Sequence, residues 1–65
     1  MWFWNKPKFA DQQIVKIKYG KNSGRFGFID VVIKGCYIVS IIGGVEGTDI
    51  IEASYYVEDW LEEVH

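Results

Sequence analysis

The chain has 65 residues, of which 49% are hydrophobic and 17% aromatic, and its formal net charge is −2. A domain of this size buries only about 60% of the surface its unfolded chain exposes, so three Trp, four Tyr and four Phe cannot all find cover inside it. The single Cys36 excludes an internal disulfide framework, and no apolar run is long enough for a signal peptide or a membrane span. The expectation is therefore one cytoplasmic domain spanning residues 1–65.

Met1-Trp2-Phe3-Trp4-Asn5-Lys6-Pro7 opens with three consecutive aromatics and then a proline, which predicts an extended arm rather than a helix start. Such an arm packs across one end of the fold, or contacts a partner or a second copy through Trp2 and Trp4, since Trp is favoured at interfaces. Asp11-Gln12-Gln13 leads into a first strand, Ile14 to Tyr19, where apolar and basic residues alternate. Gly20, Gly24 and Gly27 then punctuate the chain before a second strand, Phe26 to Ile33, rich in strand-favouring residues.

Lys34-Gly35 supplies a tight turn into a third strand, Cys36 to Ile42. The second and third strands carry apolar residues at consecutive positions, which predicts that they curve around a core instead of leaving one face wet. Gly43 to Gly47 is a loop, and a fourth strand is placed at Thr48 to Ala53. Ser54 could cap a short helix, but like charges at Glu58/Glu62 and Asp59/Glu63 would then repel one turn apart.

Charge is sorted along the chain. Residues 1–35 hold all seven Lys and Arg against Asp11 and Asp30, a balance of +5, whereas residues 36–65 hold seven acids and no Lys or Arg, a balance of −7. Either the halves interleave in one sheet, so that acids of the last strand face Lys16 and Lys18, or the surface is bipolar and steers a charged partner. A protein that binds only polyanions would be more basic.

Gly20-Lys21-Asn22-Ser23-Gly24-Arg25-Phe26-Gly27-Phe28-Ile29, with Val15 and Ile17 before it, resembles the KOW motif. That motif marks the SH3-like barrels of ribosomal large-subunit proteins and NusG-type transcription factors, and the likeness covers Ile14 to Val39. It implies an all-β, five-stranded SH3-like small barrel, with a short helical turn at Val57 to Trp60 before a last strand, Leu61 to Val64, that closes against the first. Two departures stand out: Asp11-Gln12-Gln13 where the family often has a Gly-Asp turn, and Ser23 where it often has Lys. Carried over residue by residue, only Lys21 and Arg25 remain to approach phosphates, which would give weak, salt-sensitive RNA binding. Phe26 and Phe28 point to one side of their strand and could stack on bases.

Chemistry has little to stand on. His65 is the only histidine and lies at the terminus, Cys36 has no partner that would activate it, and no Lys-Ser/Thr ending follows the glycines to cradle a nucleotide. Glu58, Asp59, Glu62 and Glu63 lack the alternation of a metal loop, so no metal, cofactor or enzymatic activity is expected.

The expected function is binding. It is docking onto a larger protein partner through Trp2, Trp4, Glu58, Asp59, Trp60 and Glu62, in the manner of phage-type modulators or inhibitors of a host transcription or defence complex that the resemblance suggests. The alternatives are a KOW-type RNA- or ribosome-binding module using Lys21, Arg25, Phe26 and Phe28, and a structural homo-oligomer, a homodimer through the arm.

Overall fold

The computed structural model describes residues 7–64, so the arm Met1–Lys6, with Trp2 and Trp4, and His65 lie outside the described residues. The chain forms five strands, β1 (Ile14–Ile17), β2 (Phe26–Ile33), β3 (Cys36–Gly43), β4 (Asp49–Val57) and β5 (Leu61–Glu63), with a single 3-10 turn, η1 (Glu58–Trp60), before the last. They build one antiparallel sheet in the order β4-β3-β2-β1-β5. The sheet is open, with β4 and β5 at its edges.

Register assigns the faces, because residues opposite one another in an antiparallel pair share a side. Ile17 faces Leu61, Ile29 faces Val39 and Gly27 faces Ile41, so one face gathers Val15, Ile17, Ile29, Tyr37, Val39, Ile41 and Leu61, all buried. Gly27 is a glycine for a spatial reason: a β-carbon there would lie 2.6 Å from the Ser40 carbonyl oxygen. A bulge in β2 between Ile29 and Val31 shifts the register and bends the sheet toward this face.

Phe9 completes the core from outside the sheet. Its ring meets Tyr37 edge to face at 5.5 Å, and its N–H donates to the Tyr37 hydroxyl at 3.2 Å. That hydroxyl donates in turn to Glu58 Oε2 at 3.1 Å, and the Lys8 N–H donates to the same oxygen at 3.2 Å. Gln12 N–H donates to the Ile29 carbonyl and Ile29 N–H to the Gln13 carbonyl, which straps residues 8–13 along β2. Burial chiefly pushes the Tyr37 phenol above its ordinary value; the Phe9 N–H works against it, and the hydrogen bond to Glu58 and the charge of that carboxylate add to the rise.

Several elements depart from the sequence reading. β1 stops at Ile17, two residues short of Tyr19, because the Lys18 N–H donates to the Trp60 carbonyl and the chain turns away. β4 runs to Val57, well past Ala53, because Glu52, Ser54 and Tyr56 continue one face and Ala53, Tyr55 and Val57 the other, all paired with β3. No helix begins at Ser54, the 3-10 turn starts at Glu58 rather than Val57, and β5 ends at Glu63 rather than Val64. The consecutive apolar residues of β2 and β3 do not mean two covered faces. Ile14, Val31, Ile33, Tyr55 and Val57 form a largely apolar outer face that is exposed among the described residues.

This packing can be tested at two places. Gly24 holds φ +89° in open space, so Gly24→Val should cost about 1–3 kcal/mol through backbone strain alone. Gly27→Val, which must also displace the Ser40 carbonyl, should exceed it in thermal and denaturant melts. Tyr37 resists ionisation when folded, so its contribution to stability is complete below the unfolded phenol pKa of about 10 and is lost as pH rises beyond it. Absorbance titration should show one tyrosine ionising after the others, and Tyr37→Phe should lower stability by about 1–2 kcal/mol at neutral pH while flattening the alkaline loss.

Candidate functional site

Between β1 and β2 the chain makes a compact loop closed by its own backbone. Gly24 N–H donates to the Ile17 carbonyl at 2.8 Å, Ser23 N–H to the Gly20 carbonyl at 3.1 Å and Arg25 N–H to the Asn22 carbonyl at 3.0 Å. Gly20 and Gly24 both hold positive φ, which a side chain would strain. The loop leans over the inner face of β4. Buried Asn22 donates from Nδ2 to Glu52 Oε2 at 3.2 Å and to the Tyr56 hydroxyl at 3.1 Å, and Lys21 Nζ pairs with Glu52 Oε1 at 3.1 Å.

Trp60, last residue of η1, lies directly on this loop. A β-carbon at Gly20 would be 2.8 Å from Trp60 Cζ3, so only glycine lets the indole rest on the backbone. The indole meets Tyr19 edge to face at 5.7 Å and tilts against Tyr56 at 6.3 Å. Together these elements line a groove of about 420 Å³, walled by Tyr19, Gly20, Lys21 and Trp60 on one side and by Glu52 and Ser54 to Val57 on the other. The rings of Tyr19, Tyr56 and Trp60 are held by contacts among themselves and with the loop, so a ligand would meet a preformed aromatic surface.

The expected protein-binding residues separate. Trp60 is in the groove wall and Asp59 is exposed beside it on η1. Glu58 is half-buried, its carboxylate committed to the Tyr37 hydroxyl and the Lys8 N–H. Glu62 is on β5 directly opposite Lys16, so part of the sorted charge is spent within the sheet. The expected nucleic-acid residues do not converge: Lys21 pairs with Glu52 in the groove, the Arg25 guanidinium lies over Gly43, and Phe26 and Phe28 are on the outer face, with Lys16 Nζ 5.8 Å from the Phe26 ring centroid.

Tyr19, Asn22, Glu52, Tyr55 and Tyr56 were not singled out as site residues by the sequence. The signal available was the alternation Glu52, Ser54, Tyr56, which places polar and aromatic groups on the core side of β4 once that strand is extended past Ala53. Among the described residues no group of His, Cys, Asp and Glu could hold a metal ion, and no helix is long and apolar enough to cross a membrane. Cys36 is a half-buried free thiol. Compared with known proteins, the chain matches no family model, no curated protein and no solved structure.

Gly20→Ala tests the seating of the indole. It should destabilise the domain by about 1–3 kcal/mol. In a Trp2→Phe/Trp4→Phe background it should also shift Trp60 emission to the red as the ring is lifted into water, an effect absent from Gly24→Ala, which has open space around it.

Proposed function

We propose that this protein is a non-catalytic binding module that docks onto a larger protein partner by taking a segment of it into the groove of Tyr19, Tyr55, Tyr56 and Trp60. The observation that carries this reading is the preformed aromatic groove itself, in which Tyr19 and Tyr55 remain more than half exposed. Tyr and Trp offer large contact area with few rotatable bonds, so their exposure in one concave site favours recognition of a polypeptide. Exposed Asp59, next in sequence to the groove's Trp60, and a carboxy-terminal half that carries acids without Lys or Arg favour a basic segment as the ligand.

The fold is read as an SH3-like small barrel of KOW type whose sheet is left open. What supports this is the KOW-like glycine loop, together with a single helical turn that leads straight into a last strand paired with the first. By the same resemblance the docking is of the kind made by, for example, a phage-type modulator or inhibitor of a host transcription or defence complex. RNA binding is the weaker alternative, because Lys21 is already paired and the two phenylalanines face away from it.

The experiment is capture from bacterial lysate with wild-type protein, Tyr19→Ala/Tyr55→Ala and Arg25→Glu as baits, followed by mass spectrometry and by retention on RNA at two salt concentrations. Wild type and Arg25→Glu should retain the same protein, and the groove variant should lose it while remaining folded by circular dichroism. Retention of RNA that falls steeply with salt and is lost in Arg25→Glu, with protein capture indifferent to the groove variant, would overturn the proposal.

A further inference from the structure

The two edges of the sheet differ in kind. β5 spans three residues, Leu61–Glu63, and carries Glu62 and Glu63, so a strand of like charge is repelled there. β4 spans nine residues, Asp49–Val57, without Lys, Arg, Pro or Gly, and among the described residues its backbone pairs with β3 alone. Its free edge is reachable from solvent. Ser54, Tyr55, Tyr56 and Val57 all line the groove although their side chains alternate between faces, and a cavity that touches four consecutive strand residues meets the strand from its side.

We infer that β4 pairs antiparallel with β4 of a second copy of this chain, joining two sheets into one through a two-fold interface. An edge strand meeting itself this way is self-complementary only if its own residues suit one another. Centred on Ser54, in the regular part of β4 beyond its bulge at Ile51, the pairing sets Ala53 opposite the partner's Tyr55 and Glu52 opposite the partner's Tyr56. Small faces large and a carboxylate faces a hydroxyl, with no charge against a like charge. On the outer face the pairing also makes the row Val31-Ile38-Tyr55 of one copy continuous with the row Ala53-Ser40-Phe28 of the other. Val57 and Tyr55, half or more exposed in the single chain, would gain neighbours at the junction, and because both also wall the groove, the second copy and a docked partner segment exclude one another there.

Sedimentation of the full chain from low micromolar to millimolar concentration tests this. Wild type should pass from monomer to dimer. Tyr55→Lys should stay monomeric, with the melting temperature of the wild type measured at the low concentration where that too is monomeric, since Tyr55 is 69% exposed and a lysine guards an edge. In a Cys36→Ser background, Ser54→Cys should be joined to its counterpart by a short bifunctional thiol reagent, because directly opposed β-carbons are about 4.5–5.5 Å apart, whereas Glu46→Cys in the β3–β4 loop should not. A wild type that remains monomeric throughout overturns the inference. So does a dimer indifferent to Tyr55→Lys and lost in Trp2→Ala/Trp4→Ala, or one in which Ser54→Cys yields no covalent cross-link.

Discussion

The seating of the Trp60 indole on the bare backbone of Gly20 is the contact through which the separate parts of this domain meet. It joins the loop after β1 to the turn before β5. The Trp60 carbonyl accepts the Lys18 N–H on the same spot, so the next residue, Leu61, is delivered opposite Ile17 and into the core. The ring's other neighbours are Tyr19 and Tyr56, and Asn22 fastens the loop to Tyr56 and Glu52 of β4. β4 and β5, at opposite edges of the sheet, are thereby tied to one loop without pairing to each other.

This arrangement explains why so small a chain can leave aromatic surface in water. Its core is a single layer of side chains on one face of a bent sheet, closed by Phe9 from the strap and by Leu61 from the last strand. On β4 the same face turns polar, with Glu52 and Ser54 alongside Tyr56, and there the loop covers it through hydrogen bonds and one exposed ion pair rather than through apolar burial. The ion pair between Lys21 and Glu52 is worth little in such surroundings. The two amide bonds of buried Asn22 matter more, because an unsatisfied buried amide is costly.

Much of the strand content was legible in the residues: β2 matched its predicted span, β3 missed by one residue, and Lys34-Gly35 formed the hairpin, with Gly35 at φ +87°. The positive φ of Gly20 and Gly24 was legible from their spacing, but the reason for Gly20 was not, since the ring it accommodates belongs to Trp60, far along the sequence. The end of β4 was not legible because Ser54 carries a helix-cap signal and Tyr55-Tyr56-Val57 shows no polar–apolar alternation. Pairing with β3 as far as Cys36 opposite Val57 overrode the cap signal. Glu58 illustrates the same limit: read as an exposed acid for a partner, it is the acceptor that holds Tyr37 and Lys8, a role visible only when the strap is folded across the sheet.

Nuclear magnetic resonance of Gly20 tests the central contact most directly. One Gly20 Hα faces the Cζ3 edge of the indole, close to the plane of the ring, so it should show nuclear Overhauser contacts to the Trp60 Hζ3 and Hη2 protons and a downfield ring-current shift that returns to the ordinary glycine range in Trp60→Leu. A Gly20 Hα at its ordinary position in the wild type, without contacts to Trp60, would contradict the account and leave the groove without the wall on which it is built.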